Sequence, residues 1–168
     1  MNTMFYSGVG SRKTPDHIQQ RIKAVATALE KRGYTLRSGG AAGADRAFES
    51  GVMTGMKEIF YHKDHICEEA FYIAKQIHPA WGACDDVAKR LHARNVYQVL
   101  GRDLQTPSDF VLCWTPDGSD GSFSSRVTGG TRTAIVLAYQ RDIPVFNFAG
   151  LGKEKMELFR SILCDTIS

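Results

Sequence analysis

Four short signatures constrain what this chain can fold into: Gly8-Val9-Gly10-Ser11-Arg12, Ser38-Gly39-Gly40-Ala41-Ala42-Gly43-Ala44-Asp45, Arg94-Asn95 and Gly129-Gly130-Thr131-Arg132-Thr133-Ala134. Three of them fall where an apolar run gives way to a helix-like stripe; Arg94-Asn95 sits within a helical pattern. Glycine lets a backbone bend sharply and lets a ligand come close, and a helix start offers free N–H groups at a positive dipole end. A chain that repeats this arrangement reads as the builder of an anion pocket.

The segments between the signatures supply the scaffold. Segments at 5–9, 34–37, 57–61, 109–114 and 143–148 read as strands, the first and fourth of them apolar runs. Between them lie helical patterns. The first opens at Pro15-Asp16 with Thr14 as candidate N-cap, carries Ile18, Ile22, Val25, Ala26 and Leu29 on one face, and stops at Gly33. Further helices are expected at about 44–53, 68–77, 85–100, about 131–140 and 153–163. Alternating strands and helices imply an α/β, Rossmann-like, doubly wound and mostly parallel sheet with helices on both faces. In such a sheet ligands bind at the carboxyl ends of the strands, beside the point where strand order reverses. The expected organisation is one domain over 1–168, with an irregular insertion at 62–84 and a mobile Gly/Ser-rich loop, or ligand-covering flap, at 115–128.

Composition narrows the function classes without choosing among them. A 43% hydrophobic and 23% charged chain of 168 residues has enough apolar surface for a core without metal or disulfides. Cys67, Cys84, Cys113 and Cys164 are scattered and form no Cys-x-x-Cys, so reduced thiols in the cytoplasm are expected. No basic leader with an apolar h-region and no long apolar stretch is present, so neither secretion nor membrane insertion is expected. A net charge of +3 suits a phosphate-bearing ligand but falls short of the basic stripes of dedicated nucleic-acid binders.

The first signature is not a full Gly-x-Gly-x-x-Gly, because residue 13 is lysine, and no Walker lysine motif occurs. It offers instead a close-approach backbone, the Ser11 hydroxyl and the Arg12 guanidinium for a phosphate. In the second, stacked N–H groups can cradle an anion, while Asp45 either holds the loop through backbone N–H groups or accepts from a ribose hydroxyl or acts as a base. Arg94 is suited to phosphate and Asn95 to a base or sugar edge; Thr131 and Thr133 can serve a second phosphate or cap the helix. Trp81, beside a glycine in a turn, is a stacking candidate, whereas Trp114 ends an apolar strand and reads as core. His62, Asp64, His65 and Cys67 crowd together, but the segment reads as a surface loop and no metal site is expected.

Taken in order over 5–148, Gly10-Ser11-Arg12, Ser38-Gly39-Gly40-Ala41-x-Gly43-x-Asp45, Arg94-Asn95 and Gly129-Gly130-Thr131-x-Thr133-Ala134 resemble the Rossmann-like core of the DprA/Smf family. That family lies within the wider SLOG group, which includes the lysine-decarboxylase-like LOG proteins, and the chain resembles a short single-domain form of it. The resemblance implies a nucleotide- or nucleic-acid-related pocket; DprA itself is a single-strand DNA binder that loads a recombinase. It implies ligand contacts at Gly10, Ser11, Arg12, Ser38, Gly39, Gly40, Gly43, Asp45, Arg94, Asn95, Gly129, Gly130, Thr131 and Thr133. LOG-type phosphoribohydrolases continue the last signature as Pro-Gly-Gly-x-Gly-Thr-x-x-Glu. Here Thr133 is followed by Ala134, Ile135 and Val136, with no carboxylate to support an oxocarbenium-like state. Asp45, or an acid of the flap such as Asp117 or Asp120, would have to serve as the catalytic group.

The sequence therefore favours binding of a nucleotide or nucleotide-derived ligand, without a cofactor. The alternatives are a single-stranded DNA-binding recombination mediator and a nucleotide N-glycosidase. Family members commonly self-associate, so a homo-oligomer is a further expectation.

Overall fold

The inner apolar runs form strands because each can bury both of its faces, while the edge strand at 57–59 leaves Lys57 exposed and Glu58 and Ile59 half-buried. The computed structural model describes residues 2–165, so residues 1 and 166–168 of the expected 1–168 domain lie outside the described part. The strands are β1 (Met4–Gly10), β2 (Tyr34–Ser38), β3 (Lys57–Ile59), β4 (Phe110–Trp114) and β5 (Val145–Asn147). All pair in parallel, in the order β3-β2-β1-β4-β5. Parallel neighbours require crossovers, and the crossovers place helices on both faces. Side chains of β4 alternate accordingly. Phe110 and Leu112 join a core with Ile22, Leu29 and Phe48 from helices α1 (Asp16–Lys31) and α2 (Ala44–Gly51). Val111 and Cys113 join a second core with residues of α3 (Glu68–Ile77), α4 (Asp86–Leu100) and α5 (Arg132–Gln140). The closing helix, α6 (Lys153–Asp165), returns to the first face, where Phe159 packs edge-on against Phe110 at 5.6 Å. The doubly wound, Rossmann-like sheet expected from the sequence is the fold observed.

Several boundaries move for local reasons. Thr14 is not a cap: its hydroxyl donates to Ser11 O at 2.6 Å, and Pro15 occupies the flanking position with its carbonyl accepting from Ile18 and Gln19. Proline restricts the residue before it to extended backbone, which withdraws Thr14 from the helix mouth. α2 stops at Gly51 because Val52 turns extended. β5 begins only at Val145; Pro144 has no N–H for the ladder, although its carbonyl accepts from Val111 at 2.8 Å. α4 starts one residue later than expected, with Asp85 as its cap accepting from Ala88 N at 2.8 Å. Among the described residues no helix is long and apolar enough to cross a membrane.

The turn into α2 is a close backbone crossing. Gly43 takes φ +82, ψ −124, and a Cβ there would stand 2.4 Å from Ser11 O and 2.8 Å from the Arg12 backbone. The crossing joins the first two signatures, with Ala44 N donating to Ser11 O at 3.3 Å. Gly43→Ala is expected to cost about 1–3 kcal/mol in chemical denaturation, since both the dihedrals and the space favour glycine. Gly152→Ala, where a Cβ meets nothing within 4 Å, serves as the control and should stay within about 0.5 kcal/mol of the parent. Equal stability of the two variants would remove the constraint.

Candidate ligand site at the switch point

Strand order reverses between β1 and β4: from β1 the chain passes to α1 on one face, and from β4 to α5 on the other. The crevice so opened at the strands' carboxyl ends holds a cavity of about 570 Å³. Its floor is set by the end of β1, where Ser11 N donates to Trp114 O at 3.0 Å. Gly10, Ser11, Arg12 and Lys13 line it from the first signature, Ala41 and Asp45 from the second, and Arg94 and Asn95 from α4. Gly129, Gly130 and Thr131 close it from the fourth signature, with Thr128 just before them.

The four signatures are hydrogen-bonded to one another in sequence. Beyond the Ala44–Ser11 bond, Arg94 Nη1 donates to Gly39 O at 2.5 Å and to Phe60 O at 3.1 Å, tying α4 to the second signature and to the chain leaving β3. Asn95 Nδ2 donates to Gly130 O at 2.7 Å, while Asn95 Oδ1 accepts from Arg94 Nε at 3.1 Å. Arg94 therefore acts first as a brace. It is nearly buried, and loss of hydration pulls its pKa below the ordinary arginine value although Asp45 opposes the shift.

Asp45 resolves into a loop holder that also faces the cavity. Its Oδ2 accepts from Gly39 N at 3.2 Å, and Ala41 N–H supplies a further bond. Burial raises its pKa to about 7 against the pull of Arg94 and those two N–H groups. A carboxyl poised there changes protonation in the neutral range, which suits either a proton-transfer group or a wall that tolerates an anion. At the cavity's edge stand three cations, Arg12, Lys13 and Arg126, all exposed and none in an ion pair with a described residue.

The sequence-predicted residues divide into two sets. Gly10, Ser11, Arg12, Asp45, Arg94, Asn95, Gly129, Gly130 and Thr131 line one cavity. Ser38, Gly39, Gly40, Gly43 and Thr133 stand behind its wall. Ser38 Oγ donates to Gly8 O at 2.7 Å, and Gly39 leaves room for Arg94, whose Nη1 would lie 2.3 Å from a Cβ there. Gly40 is crossed by Tyr61, and Thr133 Oγ1 is 2.8 Å from His92 Nδ1. Lys13, Leu91, Gln98, Pro116, Arg126 and Thr128 line the cavity without having been foreseen. Of these Lys13 stands beside Arg12, and Pro116, Arg126 and Thr128 lie in the 115–128 segment read as a loop or ligand-covering flap, whereas Leu91 and Gln98 carried no signal.

The 115–128 segment is organised around Asp117. That carboxylate accepts from the Thr115 hydroxyl at 2.8 Å, from Ser119 N, from both Ser125 N and its hydroxyl, and from the Thr128 hydroxyl. These bonds outweigh burial and hold its pKa at about 2. Asn147 of β5 ties the base of the segment down through Thr115 Oγ1 and Ser119 O. Asp117 and Asp120 line a second, smaller hollow near Lys155, so Asp45 is the carboxylate that faces the main cavity. Trp81 packs partly buried against the second core beneath Lys89, away from the cavity lining, and Trp114 packs against the first core.

No family model matches this chain, and no curated protein matches it. Among solved structures it is similar to DNA processing protein A from Helicobacter pylori, a structure that concerns that protein's single-stranded DNA binding mode. The TM-score is 0.54 at 17% identity, and the alignment covers 96% of this chain and 74% of that one. At that identity the likeness establishes a shared fold.

Proposed function

We propose that the chain binds a nucleotide or nucleotide-derived, phosphate-bearing ligand in the switch-point cavity. The observation that carries this reading is the convergence of three exposed, unpaired cations on a cavity whose walls are the four mutually bonded signatures. A volume of about 570 Å³ sits within the usual range for small-molecule sites, about 300–1,000 Å³. Backbone N–H groups around Gly129 and Gly130 and the guanidinium groups of Arg12 and Arg126 suit phosphate oxygens. Calorimetry against nucleoside mono- and diphosphates and ADP-ribose is expected to find a binder. Arg12→Ala and Arg126→Ala should each weaken it about 10–100-fold, the loss of one charge-assisted contact. Silence across the whole panel would overturn the reading.

The exposed position of those cations also favours a second reading, in which the bound phosphates belong to single-stranded DNA, the polymer bound by the structural neighbour. Ionic strength separates the two. A strand engaging three cations should show log K falling against log salt with a slope of about −2, whereas a mononucleotide, which carries no condensed counterion atmosphere to release, gives a shallower line. An N-glycosidase reading rests on Asp45, and requires release of free base that Asp45→Asn abolishes.

A further inference from the structure

The connection between α3 and α4 gathers three metal-ligating side chains that no sequence motif joins. His78 follows the end of α3, Cys84 follows the 3-10 turn Trp81–Ala83, and His92 lies inside α4. Each offers a ligand atom, and the three atoms lie within 4.8 Å of one another. Cys84 Sγ is 3.7 Å from His78 Nε2, and the two imidazole rings are centred 4.4 Å apart at 63°. A tetrahedral zinc ion with Zn–N of about 2.0–2.1 Å and Zn–S of about 2.3 Å holds its nitrogen and sulfur ligands about 3.6 Å apart. The sulfur–nitrogen spacing already present is thus close to that of two ligands sharing one ion.

We propose that His78, Cys84 and His92 form a Zn²⁺ site with three protein ligands and a fourth position left to water. The surroundings supply an outer shell. His92 Nδ1 lies 2.8 Å from Thr133 Oγ1, and with that hydrogen bond made from the ring, Nε2 is left to the metal. His78 Nδ1 accepts from Ala80 N at 3.1 Å; ligation through Nε2 puts the ring proton on Nδ1 and gives up that exposed bond. Arg132, whose Nη1 donates to Ile77 O at 2.7 Å, brings a positive charge to the same corner. That charge makes the thiolate an important partner for the cation. The N/S donor set selects a borderline-soft ion over Ca²⁺ or Mg²⁺, which take oxygen ligands. None of the three ligands lines the switch-point cavity, but His92 precedes Arg94 and Asn95 on α4, and Thr133 belongs to the fourth signature. Zinc here would fasten the α3–α4 connection to the back of the cavity wall, whatever ligand the cavity takes.

The full chain, stripped with a chelator, should take up one Zn²⁺ per chain in calorimetry, with a rise in thermal midpoint. Co²⁺ in its place should give the intense visible bands of a tetrahedral ion and a thiolate-to-cobalt charge-transfer band. Thr133→Val is expected to weaken Zn²⁺ about 10–100-fold, as for other outer-shell changes, and Cys84→Ser to weaken it further and erase the charge-transfer band. His78 and Cys84 are half-buried, so their replacement should leave the circular dichroism unchanged. Absence of saturable binding or of the charge-transfer band in the parent protein would overturn the site, a result that does not depend on any variant folding. Zn²⁺ affinity unchanged in both Cys84→Ser and His78→Asn would overturn it equally, leaving only a thiol–imidazole contact.

Discussion

Arg94→Met is expected to lower the unfolding free energy by about 2–5 kcal/mol, because it strips donors from two backbone carbonyls in the interior. Those carbonyls, Gly39 O and Phe60 O, belong to the second signature and to the chain leaving β3, and Arg94 Nη1 serves both. Methionine replaces the stem of the side chain with little change in packing, so the loss reports the polar head. Two opposing effects keep the figure from growing. Removing a desolvated cation recovers part of the cost of burying it, and Asp45 can answer the loss of its positive neighbour by holding its proton. Arg94→Lys separates the contributions: an ammonium keeps the charge but lacks the planar fork, so its stability should fall between parent and Arg94→Met. Urea unfolding of the three proteins checks the order. An Arg94→Met protein within about 0.5 kcal/mol of the parent would mean that the brace contributes nothing.

The sheet was legible because its strands bury two faces and its helices one. In β4 the run Phe-Val-Leu-Cys-Trp divides between the two cores, Phe110 and Leu112 on one side and Val111 and Cys113 on the other, and that demand leaves a continuous apolar run in the sequence. Helix α3 falls on the expected 68–77 because its apolar stripe and polar flanks agree. Edges were less legible: at Pro15 and Pro144 the proline decides the boundary through backbone geometry that hydrophobic spacing does not express.

The site was legible as a set of signatures and illegible as a division of labour. A glycine-rich loop announces close approach without saying what approaches. At Gly39 the near neighbour is Arg94, at Gly40 it is Tyr61, and at Gly43 it is the backbone of Ser11 and Arg12. Leu91 and Gln98 reach the cavity through tertiary placement, from a helix face whose local sequence resembles any surface, while Pro116, Arg126 and Thr128 come from the 115–128 segment, whose length and polarity marked it as a loop or flap without singling out those residues. The His78, Cys84 and His92 cluster has the same character. Its members are spread across a helix end, a 3-10 turn and another helix, whereas the tighter group at 62–67 forms no ligand cluster among the described residues.

Asp45→Asn is expected to stabilise the protein increasingly as pH rises, with the difference from the parent growing between about pH 4 and pH 7 and then levelling. The direction follows from proton counts. Burial raises the Asp45 pKa from 3.8 unfolded to about 7 folded, so within that window the native state holds more protons than the unfolded state. Stability from this group is therefore lost as pH rises through the window, and the loss is complete above the folded value. The separation of the two values sets an upper bound of about 4 kcal/mol. Asparagine mimics the protonated acid, can still accept from Gly39 N, and has no charge to desolvate, so its own curve lacks this component. Other carboxylates bend both curves alike, notably Asp117, whose pKa of about 2 favours the fold above the unfolded value; subtraction removes them. A difference that stays flat across the range would mean that Asp45 titrates normally. The same proton governs binding if the cavity takes an anion. A phosphate beside Asp45 favours its neutral form, so the parent should bind more tightly at about pH 6 than at about pH 8, and Asp45→Asn should lose most of that dependence. A glycosidase that uses Asp45 as its base would show the opposite trend in turnover, rising with pH as the carboxylate forms, and would be inactive as Asp45→Asn.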